Sequence, residues 1–405
     1  MAHHQIARAV GRTHAIPEPE ETDVVSGDEI RRAQSCATDA RQAAREFHDG
    51  VAQPDMALVM FFCSAEYDLD VLAAEIDRLF AGTPVIGCTT AGEIGPAGYR
   101  DASISGASLP ASSFTVAIEL IDRLQQFDSA RTQRLTQNLV QRLASSAPRT
   151  DANRSFALLL VDGLSVREEP LTRVVQEALE NTPLVGGSAG DAMRFISTHV
   201  YLDGAFHPDA ALLALVTTPL PFQEFRIQHF VPTARRVVVT AADVEHRIVT
   251  EIDGEPAAAA YARLVGSSIP GLDPMNFAEQ PMVVLIDGTN YVRAIKTVNP
   301  DGSLTFACSI DDGLVLRAAS RVDFIENLSQ ALDGVRGEIG DPQLTIGFDC
   351  ALRKLEMTQC GLVERVEAVF RDNNVTGFSS YGEQYHGAHV NQTLTGITIG
   401  RSTPG

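Results

Sequence analysis

The chain predicts an α/β protein built from mixed sheets and divided into two domains. Three observations predict this. A pattern of strand, helix, strand and a small-residue loop ending in Gly plus a carboxylate occurs three times. Between the second and third copies, alternating apolar segments are punctuated by Asp-Gly pairs, the signature of an antiparallel sheet. The 405 residues, 44% of them hydrophobic, suffice for more than one core.

Taken in order, residues 1–28 carry Pro17, Pro19 and an acidic cluster from Glu18 to Asp23, which predicts a poorly ordered arm. Asp28 is then expected to cap a helix over 29–48. The first copy follows: a strand at 57–62, a helix at 69–80, then Pro84 to Glu93 ending in Ala91-Gly92-Glu93. Strands at 102–109 and 114–120 and a helix at 132–143 lead to the second copy. Its strand is 156–161, its helix 169–180, and its loop closes on Gly190-Asp191, with strands at 199–202 and 212–217 behind it. The intervening block, about 219–338, reads as strands at 236–240, 248–252, 282–286, 291–298 and 304–309, with helices at 256–264 and 323–335. The third copy has a strand at 344–348, a helix at 362–371, the loop Val375 to Glu383 and a closing strand at 389–399. Domains are expected over 29–218 and 219–405.

Composition excludes several function classes. A net charge of −20 disfavours nucleic acid and anionic lipid, both of which need a basic surface. No apolar run is long enough to span a membrane, and no apolar stretch follows Arg8 and Arg12 to make a secretory signal. The six cysteines form no Cys-x-x-Cys, which fits reduced thiols in a cytoplasmic protein and excludes covalent haem attachment through Cys-x-x-Cys-His. The loops lack Gly-x-Gly-x-x-Gly spacing and a Walker lysine, so they are not phosphate fingerprints.

The stretches Phe61-Phe62-Cys63-Ser64 and Ile86 to Gly95 resemble the FIST N-terminal domain, and Gly377 to Glu383 with His389 to Leu394 resembles the end of the FIST C-terminal domain. The resemblance covers nearly the whole chain after the arm. It implies a sensory module of bacterial signal transduction, with no enzymatic reaction. The segments Phe230-Val231-Pro232-Thr233, Val237 to Thr240 and Phe348 to Arg353 are similar to the haem-binding, nitric-oxide-sensing NosP branch. That likeness implies non-covalent haem b, nitric oxide as ligand, a histidine kinase as partner, and control of cyclic-di-GMP and biofilm behaviour. A homo-oligomer is compatible with it.

The residues themselves leave alternatives open. Haem iron needs an axial donor in an apolar slot. In 225–231 an extended chain puts Phe225, Ile227, His229 and Val231 on one face, and Phe230 adjoins His229, so His229 is the leading metal ligand. The competing reading is a buried histidine bonded to a carbonyl, with no metal. His199, His207 and His389 are the alternative ligands, and His389 shares a polar strand face with Asn391 and Thr393 that could line a pocket with Glu383. Glu93, Asp191 and Glu383 either gather to bind a cation or amine or cap their own turns. Cys88 could be a nucleophile or, with Cys308 and Cys350, a thiolate ligand. Tyr381 belongs to the same loop as Glu383. Three functions compete: a haem-based sensor, a sensor of a small organic ligand such as an amino acid, and a hydrolase or transferase using Cys88 or a carboxylate pair.

Overall fold

The three copies become three units of one architecture in a computed structural model that describes residues 29–147, 154–286 and 288–401. The expected arm, with His3, His4 and His14, lies outside the described residues. Unit one is β1 (Arg31–Ser35), α1 (Ala40–Val51), β2 (Met56–Ser64), α2 (Leu69–Leu79), β3 (Val85–Thr90), the hairpin β4 (Glu93–Gly95) and β5 (Gly98–Arg100), and β6 (Ile104–Pro110). Unit two repeats it as β7 (Thr115–Asp122), α3 (Ser129–Ser146), β8 (Arg154–Val161), α4 (Glu168–Leu179), β9 (Leu184–Ser188), the hairpin β10 (Val200–Leu202) and β11 (Ala205–His207), and β12 (Ala210–Thr218).

Unit three opens with β13 (Phe222–Ile227) and is then interrupted. The insert comprises β14 (Phe230–Asp243), β15 (Ile248–Ile252), β16 (Glu255–Pro256), α5 (Ala257–Val265), α6 (Pro274–Glu279), β17 (Met282–Ile286), β18 (Thr289–Arg293), β19 (Ile295–Val298), β20 (Leu304–Phe306) and β21 (Val315–Arg321). The unit resumes with α7 (Phe324–Ile339), β22 (Pro342–Cys350), α8 (Ala351–Gln359), α9 (Val363–Asp372), β23 (Val375–Ser380), the hairpin β24 (Glu383–Tyr385) and β25 (Ala388–Val390), and β26 (Leu394–Gly400).

Two expectations are corrected. The single helix over 29–48 is a strand followed by a helix. Ala33 and Ser35 turn inward with period two as β1 pairs with β6, and Asp39 rather than Asp28 caps the helix by accepting from Gln42 N. The closing strand over 389–399 breaks between β25 and β26, because Gln392 is left-handed (φ 50°) and a strand cannot continue through it.

Each unit builds four strands of its own sheet and gives its hairpin away. The orders are β1-β6-β2-β3-β10-β11, β7-β12-β8-β9-β24-β25 and β13-β26-β22-β23-β4-β5. Sheet one thus receives the hairpin of unit two, sheet two that of unit three, and sheet three that of unit one. The three loops interlock in the same cyclic sense: Gly190 N donates to Thr89 O (3.0 Å), Tyr381 N to Ser188 O (3.0 Å) and Ala91 N to Ser379 O (2.9 Å).

Alternation along the strands explains how three sheets share one core. Met60 and Phe62 of β2, Leu158 and Leu160 of β8, and Ile346 and Phe348 of β22 all face inward and meet in a single apolar cluster. Phe62 lies 4.8 Å and Phe348 lies 5.5 Å, centroid to centroid, from Phe378. The intervening residues face outward under the helices: Val59 and Phe61 under α1 and α2, and Leu159 and Val161 under α3 and α4.

The insert has its own sheet, β18-β17-β21-β14-β15-β20-β19, with β16 paired to β15, and its own core around Tyr261, Phe277 and Phe306. It joins the body through a two-strand neck where Phe230 pairs with Arg321 and Val322 N donates to His229 O at 2.9 Å. Among the described residues, no helix is long and apolar enough to cross a membrane.

Candidate functional site

The repeated carboxylates resolve into clamps. Glu93, 1% exposed, accepts from Thr90 Oγ1, from Ser103 N at 3.1 Å and from Ser103 Oγ at 2.7 Å. Glu383, fully buried, repeats this with Ser380 Oγ, Thr393 N at 3.2 Å and Thr393 Oγ1 at 2.7 Å. Each acid ties the start of its hairpin to the strand ten residues on, which is the capping reading. Asp191 does a third job: it accepts from Phe195 N (2.8 Å), Ile196 N (2.6 Å) and Ser197 N (3.0 Å) and from the Tyr381 hydroxyl. That clamp holds a loop in which Ala192, Met193 and Phe195 are all left-handed. The acids therefore stand in separate networks.

Burial pushes the Glu93 carboxyl up to about 7 and that of Glu383 up to about 8, against the pull of their hydroxyl donors. A carboxyl raised in the folded state above its ordinary value near 4.5 binds its proton more tightly when folded. Its stabilising contribution is therefore complete below about pH 4.5 and lost as the pH rises through about 7–8. Melting temperature should fall across that window, and Glu383→Gln should remove its share of the slope. A Tm series over that range checks this, and an unchanged slope in the variant would refute it.

His229 sits in the neck, fully buried, with its ring against Phe230 (4.1 Å) and Phe324 (4.7 Å). Its Nδ1 faces an Arg353 guanidinium nitrogen at 2.9 Å and its Nε2 faces Glu356 Oε2 at 2.9 Å. Arginine only donates, so Nδ1 must accept and the ring proton lies on Nε2, donated to Glu356. Burial lowers the affinity of this imidazole for a second proton. Both nitrogens are thus engaged by protein groups, through a guanidinium and a carboxylate rather than the carbonyl that the sequence suggested.

The other sequence candidates scatter. Phe225 packs on the outer face of sheet three among Phe324 and Leu394. Cys88 points into the central core, where burial pushes its thiol well above the ordinary range. His207 Nε2 meets Leu202 O at 3.1 Å within its hairpin, while His199 donates its backbone N–H to Thr89 Oγ1 at 3.0 Å. Among the described residues, no group of three or more His, Cys, Asp or Glu side chains is placed to hold a metal ion.

What the fold does bring together is a cavity of about 200 Å³ between the insert and the body. Unit two contributes the 163–168 turn and Phe195, unit three contributes Tyr381 and Asn391, and the insert contributes Phe277, Phe306 and Arg247. Tyr381 stacks on Phe195 at 4.7 Å. Arg247 donates to Glu168 at 2.6 Å and also to Glu169, so these charges neutralise one another in part. Lys296 stands 4.2 Å above the Phe195 ring. Asn391, 1% exposed, has neither its side-chain oxygen nor its nitrogen hydrogen-bonded. Beside it His389, 4% exposed, leaves Nε2 unpartnered. A Cβ on Gly382 would lie 2.2 Å from the His389 ring, so only glycine allows this approach.

Of the predicted residues, Tyr381 and Cys350 line this cavity, and His389 and Glu383 belong to the hairpin behind it. The polar face of His389 and Asn391 was legible from alternation. Arg247, Glu168, Lys296, Phe277 and Phe306 were missed, because no local signal marks residues that meet only through tertiary packing.

His229 is not placed to hold a haem iron. His229 does not line the cavity, and its lone pair is taken by Arg353. The cavity is smaller than the roughly 300–1,000 Å³ usual for drug-sized ligands.

Two family models match the chain: the FIST N domain over residues 57–255 and the FIST C domain over residues 257–386. No curated protein matches it. The two matches run from β2 to β24 and take in all three units and the insert, so the chain belongs to the FIST family of sensory signalling modules.

Proposed function

We propose that this protein senses a small organic ligand, of about the size of an amino acid, in the cavity between the insert and the body. One observation carries the reading: Asn391 is fully buried at the cavity wall with both ends of its carboxamide unpartnered. An unmet buried amide costs about 1–3 kcal/mol, which a bound ligand would recover. Aromatic walls with a few convergent polar groups are what such sites present.

Signal output follows from position. A ligand touching Phe277 and Phe306 on the insert and Tyr381 on the body binds most tightly when the two are closed on it. Only that difference in affinity can shift a conformational equilibrium.

The test is a thermal-shift screen of the full chain against amino acids and comparable small metabolites. A true ligand at a hundredfold its Kd should add about 2.7 kcal/mol of stability. Asn391→Leu should abolish that shift while leaving the unliganded protein folded. The competing reading is a haem b sensor of nitric oxide that signals to a histidine kinase, with His389 Nε2 or His199 Nδ1 as an open imidazole nitrogen. Freshly purified protein with a Soret band that moves on adding nitric oxide would replace the small-ligand reading with that one.

A further inference from the structure

Hairpins one and three carry the same carboxylate clamp, so their surroundings correspond position by position. Glu93 with Ser103 matches Glu383 with Thr393. Asp101 and Asn391 each stand two residues before the clamp's far end, and each lies beside the glycine preceding the acid. A Cβ on Gly92 would come 3.0 Å from Asp101 Oδ1, and one on Gly382 would come 3.2 Å from Asn391 Nδ2.

At hairpin one the protein fills the space itself. Lys354 of α8 donates its ammonium to the Ala91 carbonyl at 2.9 Å and to the Asp101 carboxylate. At hairpin three the neighbouring chain is the turn Gly163 to Val166 of unit two, which holds no lysine, and the cavity lies there. The carboxylate has become a carboxamide as well. Asp101 accepts only and suits an ammonium, whereas Asn391 offers an acceptor and a donor side by side. Its full complement is a group with a donor and an acceptor in one plane. An ammonium or a carboxylate answers only half of it.

The charges nearby point the same way. Glu168 and Glu169 are already bonded to Arg247, and Lys296 is exposed at the rim over Phe195. The walls are flat rings: Phe277 and Phe306, each 2% exposed, and the Phe195–Tyr381 stack. A cavity of about 200 Å³ is on the scale of one small ring and its substituent.

Resting on the small-ligand reading of this cavity, we infer that the ligand is a small planar molecule with an amide edge (a primary carboxamide, lactam or pyrimidone) that pairs reciprocally with Asn391. Isothermal titration of the full chain with nicotinamide, benzamide, benzylamine and benzoate tests this. Nicotinamide or benzamide should bind at least tenfold more tightly than benzylamine or benzoate. Asn391→Asp recreates the Asp101 chemistry and should reverse the order, gaining benzylamine and losing benzamide by about tenfold or more. Asn391→Ser, which cannot make the paired contact, should lose benzamide as well, and circular dichroism confirms that both variants fold. Equal binding of benzoate and benzamide, or an order unchanged in Asn391→Asp, overturns the amide assignment and leaves the cavity reading standing. Should no probe and no metabolite of the screen bind, both fall together.

Discussion

Expressed apart, residues 1–218 and 219–405 should each fail to melt cooperatively, and should regain a cooperative transition only when mixed or co-expressed. The cut falls at the boundary that the order of repeats suggests, yet each half would lose strands to the other. Hairpin β4–β5 of the first half completes sheet three on β23, and hairpin β24–β25 of the second half completes sheet two on β9. The central cluster also draws on both halves, setting Phe62, Leu158 and Leu160 against Ile346, Phe348 and Phe378. Exposing a side chain of this size costs about 1.5–3 kcal/mol, and a domain has only about 5–15 kcal/mol of net stability. Baring half a dozen of them costs about 9–18 kcal/mol, as much as that whole margin. Circular dichroism melts of each fragment and of the mixture check the expectation. A cooperative melt of either fragment alone, near the temperature of the whole chain, would refute it.

The second large effect is expected at the neck. Arg353, 1% exposed, holds Asp349 at 2.6 Å and the His229 ring at 2.9 Å, and Asp349 in turn accepts from the Tyr99 hydroxyl. Glu356 takes the other side of the ring and also meets Arg321 at 3.3 Å. The chain of contacts therefore runs from hairpin one, through unit three, into the insert. Arg353→Met leaves Asp349 charged and buried without its counter-ion, which typically costs about 3–5 kcal/mol. Urea unfolding should show that loss. Arg353→Met combined with Asp349→Asn should be less damaged than Arg353→Met alone, because the second change removes the uncompensated charge. Additive losses would mean that the pair does not act as a unit.

Much of this was legible in the residues and some was not, for physical reasons. The three units were readable because strand and helix periods repeat in each, and the predicted helices at 69–80 and 169–180 correspond closely to α2 and α4. The hairpin exchange was not readable. Each hairpin is local, but the edge it pairs with is chosen by tertiary geometry, and nothing in Glu93 to Arg100 names β23 as its partner. The helix α8 was also unmarked, since Ala351 to Gln359 has no side-chain cap at its start. His229 stood out because it breaks an apolar stripe, but its partners Arg353 and Glu356 lie more than a hundred residues away. Asn391 was visible as part of a polar face, and only the assembled fold reveals that its amide is left unmet.

The closed exchange of hairpins has a further implication for how such a protein can change. One unit by itself would offer a hairpin and lack another, whereas three copies in a ring leave nothing over. Joining them in one polypeptide replaces a three-body encounter by an effective concentration on the order of millimolar. It also frees the corners from being identical. One corner can keep a lysine as an internal plug while another gives it up and becomes receptive, with the remaining joints still holding the ring shut.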